Sequence, residues 1–348
     1  MIMSFTRRRR ALIGALALTL VLSACKFTGF GDPAAKSTAA TATAWIKTQQ
    51  QPDGSFEVAA FPGFETPDAI LAIAEDAQQQ SDWNVGQARR AVQAVKVGGR
   101  SALDAIDDFA ESGITAAQAA KLIVLVAKPL GYSPAAFNPQ GDTPTNLLAI
   151  VNAGRKADGS YGAFNGTLYA VLARVLTKST VPATTLALIR GAQHDDGGWN
   201  YAGDRSATEP DVDTTALAVQ VLVAAGATPT DTAVRQGLGY LARTLQANGG
   251  WASFGSDDPN STSTAVLAVT AAGYDVNAPC WRDRFAPTLA ATPYTSPVSW
   301  LRSQQRPDGH IAGPADDYPP VNTFATSQTV EALRRGWLPV VWHDPQAC

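Results

Sequence analysis

Metal-ligating and redox residues are scarce in this 348-residue chain, which has three cysteines and three histidines. His194, His310 and His343 make no paired ligand spacing with Cys280, and Cys348 is the last residue, so no zinc site is expected. Charge is scarce too: 16% of residues are charged, the net charge is −3, and no basic stripe follows Arg10. Nucleic acid is bound through such stripes and is not an expected partner. No Gly-rich phosphate loop, Ser-His-Asp order or metalloprotease helix is visible. The acidic pairs Asp195-Asp196, Asp257-Asp258 and Asp316-Asp317 fall in turns, where carboxylates are ordinarily solvated rather than calcium-bound. No cofactor is expected.

The N-terminus has a different character. Arg7, Arg8, Arg9 and Arg10 precede an apolar run over 11–24 that is too short to span a bilayer comfortably. Residues 1–24 read as an export signal, through the general or the twin-arginine route. It ends in Leu22-Ser23-Ala24-Cys25, which resembles a bacterial lipobox, with cleavage before Cys25 and diacylation of its thiol. A multiply acylated cysteine anchors stably, so the expected location is the extracytoplasmic face of the cell membrane. Residues 25–42, rich in Ala, Thr, Gly and Ser, are expected to be a flexible tether to a folded body over 43–348. In an oxidising compartment Cys280 and Cys348 are a candidate disulfide, worth roughly 4 kcal/mol if chain entropy alone decides.

The body is repetitive. Five times a helix-like stretch runs into a turn ending in Asp-Gly or Asn-Gly: Gln51-Pro52-Asp53-Gly54-Ser55-Phe56, Lys156-Ala157-Asp158-Gly159-Ser160-Tyr161, Gln193-His194-Asp195-Asp196-Gly197-Gly198-Trp199, Gln246-Ala247-Asn248-Gly249-Gly250-Trp251 and Gln304-Gln305-Arg306-Pro307-Asp308-Gly309-His310. The second lacks the Gln, and the last carries His310 where an aromatic is expected. A double-length gap between Gly54 and Gly159 holds a degenerate unit over 101–137, so six units of roughly fifty residues fill the chain.

Each unit holds two helices. Those before the turns mix polar and apolar residues and suit an outer layer. Those after them, such as 214–226 and 262–273, are small and aliphatic all round, the mark of a helix buried on every side. Gly226 and Gly273 suit left-handed caps. Six such pairs predict an all-α chain closed into an α/α toroid, six inner helices within six outer ones.

The segments ending at Trp199 and Trp251 resemble the QW repeat of squalene-hopene cyclases and other class II terpene cyclases. Protein prenyltransferase β subunits and cobalamin carriers share that superfamily, and the resemblance covers roughly residues 43–336. It implies a structural job for the repeat, with Gln193, Trp199, Gln246 and Trp251 tying neighbouring pairs together. It also gives meaning to Pro210-Asp211-Val212-Asp213-Thr214-Thr215, which resembles the DXDD motif that protonates an alkene or epoxide. By that resemblance Asp213 is the acid and Asp211 its partner, with Thr214 at the last acidic position. The plainer reading makes Asp211 or Asp213 a helix N-cap, as Asp68, Ser261 and Thr326 are expected to be at the other helix starts.

Carbocation chemistry calls for aromatic walls, and the inner helices have few aromatics beyond Tyr169 and Phe324. The expected function is therefore a membrane-anchored, non-catalytic toroid binding an apolar or macrocyclic ligand or an envelope protein. The alternative is a terpene cyclase-like enzyme with Asp213 as general acid. A third reading is a structural module of the envelope. Trp199, Tyr201, Thr214, Trp251 and Phe254 are the candidate ligand contacts. Cyclases of this kind usually carry a second helical domain, which counts against the enzyme.

Overall fold

The computed structural model describes residues 32–57, 63–79, 82–206, 208–253, 255–313 and 323–339. Helices Pro33–Thr48 (α1) and Thr66–Asp76 (α2) form the first pair. Val85–Gln93 (α3) and Ala102–Glu111 (α4) precede Ala116–Leu122 (α5), which runs on through a π-helical turn at Ile123–Ala127. Leu147–Ala153 (α6) and Phe164–Leu176 (α7), Ala183–Gly191 (α8) and Val212–Ala224 (α9), and Thr232–Thr244 (α10) and Pro259–Ala271 (α11) are the next three units, with α6 packed on α5, α8 on α7 and α10 on α9. The last unit is Cys280–Phe285 (α12), Pro297–Ser303 (α13) and Phe324–Arg334 (α14). Among the described residues, strand structure is confined to two two-residue hairpins and a few isolated bridges.

The inner helices pack in the cyclic order α2, α5, α7, α9, α11, α14 and back to α2, and α1 also packs on α14. The toroid is closed. The inner helices tolerate burial on all sides because they carry little but Ala, Val, Leu and hydroxyl residues, as in α9 and α11. Gly226 and Gly273 end two of them with φ of +97° and +86°, the expected left-handed caps. One boundary differs from expectation. α1 begins at Pro33, capped by Asp32, and Ala35, Ala39 and Ala42 are buried, so packed helix replaces the tether over 33–42.

The five turns are superimposable in their bonding. In each, the amide of the glycine donates to the carbonyl three residues earlier, and the Asp or Asn side chain accepts from the amide two residues on, at 2.9 to 3.2 Å. The glycines Gly54, Gly159, Gly197, Gly249 and Gly309 hold φ between +92° and +104°, where a Cβ is strained. Each also lies against backbone at the next outer layer, and a Cβ on Gly197 would stand 2.3 Å from the carbonyl oxygen of Gln236. The turn is thus the seam between units. At the last seam a Cβ on Gly309 would meet the carbonyl oxygen of Thr41 at 2.8 Å, which joins the end of the chain to its beginning.

The bonding corrects the register of the repeat. Gln50, Gln193 and Gln305 donate to the carbonyls of Gly54, Gly197 and Gly309, and the last two reach on to Ala233 in α10 and Thr38 in α1. Gln51, Gln246 and Gln304 sit beside that position, not in it; Leu245 holds it in the fourth turn. Likewise Ile311, not His310, stands where the other turns place Phe56, Tyr161, Trp199 and Trp251. The amide of each of these five residues donates to the hydroxyl of a threonine in its inner helix, from Thr66 to Thr326.

Candidate functional site

A cavity of about 60 Å³, or about 550 Å³ with the open space at its mouth, lies between the inner helices. In α9, Leu217 and Gln220 line it. Asp213 lies four residues before Leu217 and seven before Gln220, on the same helical stripe, one turn nearer the end that carries the turns.

The two aspartates of the DXDD-like segment have different jobs. Asp211 is the N-cap of α9: it accepts from the Thr214 amide at 2.7 Å and from the Thr214 hydroxyl at 2.9 Å. Asp213 points across to α11, where the Ser261 hydroxyl donates to it at 2.8 Å. Burial, aided by repulsion from Asp258 and Asp211, pushes its carboxyl up to about 7, against the pull of the Ser261 bond. Asp211 is also raised by burial, with the Thr214 bonds opposing.

Three residues expected as caps are not caps. Asp68 in α2 lies 2.7 Å from the Lys121 ammonium of α5 and lines the cavity, while Glu65 holds the N-cap position. Ser261 serves Asp213, and the Thr326 hydroxyl accepts from the amide of Ile311. Lys121 also lies 4.9 Å above the Phe64 ring and 5.6 Å from that of Phe324, two rings 4.8 Å apart. From Asp68 a chain of amides runs round the wall: Gln328 donates to Asp68 at 3.5 Å, and Asn260 donates to Gln328 at 3.1 Å.

Deeper in the cavity Glu331 of α14 stands among Leu71, Leu172 and Leu267. It is 7% exposed and its Oε1 has no hydrogen-bond partner. Burial first, then Asp68 and Glu75, drive its carboxyl well above the usual range, with Lys121 opposing. Tyr169 of α7, on the same wall, is raised well above its ordinary value by burial and by these two acids, Asp68 and Glu331. Trp337 closes the far end, its indole donating to the Val124 carbonyl in the π-helical turn at 3.0 Å and its amide to Glu75 at 2.7 Å. Burial raises Glu75 to about 8.

The expected ligand contacts fall elsewhere. Trp199 and Trp251 are fully buried between helices, and their indoles donate to the carbonyls of Ile189 and Leu241. Tyr201 is 68% exposed, and Thr214 caps α9 with Asp211. None of the four lines the cavity. Phe254, Cys25, Cys348 and His343 lie outside the described residues. Cys280 is disulfide-bonded. Among the described residues, no three His, Cys, Asp or Glu side chains are grouped to hold a metal ion, and no helix is long and apolar enough to cross a membrane.

Sequence reading missed Glu331, Asp68 and Lys121 as one cluster. The available signal was a departure from the repeat: α14 carries a glutamate in its second half, where α11 carries only apolar and hydroxyl residues after Asn260.

Known structures share this architecture. The type II terpene cyclase MstE from Scytonema, in complex with its product merosterolic acid A, matches with a TM-score of 0.59 at 13% identity, over 87% of this chain and 97% of that one. An MstE variant in complex with its substrate geranylgeranyl dihydroxybenzoate matches with a TM-score of 0.60 at 13% identity, over 88% and 98%. A protein from Actinoplanes matches with a TM-score of 0.52 at 16% identity, over 87% and 99%. No family model and no curated protein matches the chain. The chain is an α/α toroid with the fold of a type II terpene cyclase.

Proposed function

We propose that the chain is a terpene cyclase-like enzyme of the cell envelope in which Asp213 protonates an isoprenoid seated in the axial cavity. The observation that carries this reading is the separation of roles between Asp211 and Asp213. One caps the helix; the other reaches across to α11, where the hydroxyls of Ser261 and Thr264 hold it, and desolvation pushes its carboxyl up to about 7. A general acid needs its proton at the working pH and a dry setting. Protonation of a terminal epoxide or alkene opens it to a carbocation, an internal double bond closes the ring, and loss of a proton leaves an isomer of the substrate. A carboxyl at about 7 is a weak acid, which favours an epoxide over a bare alkene. The prenylated substrate of MstE supports a polyprenyl chain as the substrate class.

The test is incubation with geranylgeraniol, prenylated hydroxybenzoate and terminally epoxidised polyprenols, reading isomeric products by gas chromatography and mass spectrometry. Asp213→Asn is expected to lower turnover by at least about 100-fold. Asp211→Ala should leave it within a few-fold while lowering stability by about 1 kcal/mol. No isomer from any of these substrates would sink the enzyme.

A second reading, a toroid that binds an apolar or macrocyclic ligand or an envelope protein without catalysis, is favoured by the aliphatic wall. Tyr169 and Trp337 are the aromatic residues lining it among the described residues. Native mass spectrometry of protein from its own membrane separates the two by the ligand carried. An empty cavity, with a melting temperature unmoved by isoprenoids, would leave the structural envelope module. Within the proposal Cys25 is the lipid anchor, and an intact mass showing no acyl chains would remove it.

A further inference from the structure

We propose that the deep end of the cavity, at Glu331, binds the positive charge of a hydrophobic organic cation such as a protonated tertiary amine on a hydrocarbon chain. The inference rests on the cavity alone and holds whether or not Asp213 performs chemistry.

The carboxyls near Glu331 of α14 are Asp68 in the first turn of α2 and Glu75 and Asp76 in its last, against three cations, Lys121, Arg334 and, beside Asp76, Lys47. Lys121 is committed to Asp68 at 2.7 Å. Arg334 lies 3.9 Å from Asp76 and donates to the carbonyls of Glu75, Asp76 and Gln78, where it caps α2. Glu75 has the Trp337 amide on one oxygen and nothing on the other. That leaves Glu331 with no counter-charge of its own, in the cavity wall, with its Oε1 unpartnered. Asp68, paired with Lys121, and Tyr169, whose hydroxyl burial raises well above its ordinary value, are the other titratable groups on the wall.

Such a carboxyl is kept protonated by its surroundings, as the direction of its shift agrees. A cation entering an apolar cavity is strongly disfavoured unless a charge meets it. Here the arriving ammonium takes the place of the acid's proton. Glu331 ionises, its proton leaves to solvent, and the net charge of the site is unchanged. The neighbouring Leu71, Leu172 and Leu267 offer the hydrocarbon portion its apolar surface.

The experiment uses the full chain and three isosteric probes, N,N-dimethylfarnesylamine, farnesol and farnesoic acid, with calorimetry at pH 7 in two buffers of different ionisation enthalpy. The amine is expected to bind about 10-fold or more tighter than the alcohol, with release of about one proton per ligand, and the acid most weakly. Glu331→Gln should abolish both the amine preference and the proton release while leaving farnesol affinity unchanged. Equal affinity for amine and alcohol, or binding without proton release, overturns the proposal. Proton release that persists in Glu331→Gln overturns the assignment to Glu331. Should that variant not fold, the two-buffer measurement on the unaltered protein still decides. Cyclisation is read separately, so loss of either result leaves the other standing.

Discussion

The five turns keep one hydrogen-bond pattern from Asp53 to Asp308, although their sequences differ at most positions; the cavity wall between the same helices has no repeating pattern. At the turns the side chains that recur hold the ring. Asp and Asn satisfy amides, Gln193 and Gln305 reach the next outer helix, and the tryptophans fill the space beneath. In the wall the side chains that matter are the ones the units do not share. α2 contributes Asp68 and α14 Glu331 to the lining, with Lys121 of α5 paired to Asp68 and Asp213 of α9 one turn beyond Leu217. A closed repeat lends itself to this division, because any residue common to all units serves contacts that every unit makes.

That contrast can be broken at the turns first. Trp199→Ala removes a fully buried indole and its bond to Ile189, and should cost about 3–5 kcal/mol in chemical denaturation. Ligand binding per folded molecule should be unchanged, since Trp199 does not line the cavity. Gly197→Ala sets a strained φ beside a carbonyl that blocks the Cβ and should cost about 2–4 kcal/mol. Gly226→Ala has the same sign of φ and open space, so about 1 kcal/mol is expected; equal losses at the two sites would remove the seam.

The acids around the cavity are tested through pH. Glu75 at about 8 and Asp213 at about 7 lie above their ordinary values of 4.5 and 3.8, so the native state holds more protons than the unfolded chain between those limits. Their contribution to stability is full below about pH 4 and is lost as pH rises through 7 and 8, by up to about 1.4 kcal/mol per pH unit for each group. Glu75→Gln should flatten that slope by up to one group's share between pH 5 and 8, measured from denaturation midpoints. An unchanged slope would mean the acid is not buried. The smallest effect is expected at Tyr201, 68% exposed: Tyr201→Ala should move stability by less than about 0.5 kcal/mol. Weakened isoprenoid binding in that variant would restore Tyr201 as a ligand contact.

Much of the ring was legible because its signals are local. A glycine after Asp or Asn, an aromatic two residues on and a helix with no polar face each depend on residues close in the chain, as Gly226 and Gly273 also do at their caps. The register of the turn was harder. Gln50 and Gln51 are neighbours of one type, and only the bond to the Gly54 carbonyl tells them apart. His310 misled for the same reason, since Ile311 fills the buried place.

By itself, the sequence determined that six helix pairs exist, which helices are buried all round, and where each turn must bend. These follow from periodicity and backbone preference. The tertiary structure alone decided that Asp211 caps a helix while Asp213 does not, and that Asp68, with its partner Lys121, and Glu331 share one cavity. Asp68 and Glu331 are brought together by closure of the ring between α2 and α14, the last contact the chain makes. Their charges are set by that meeting, since burial and mutual repulsion act through space and leave no trace in the spacing of residues.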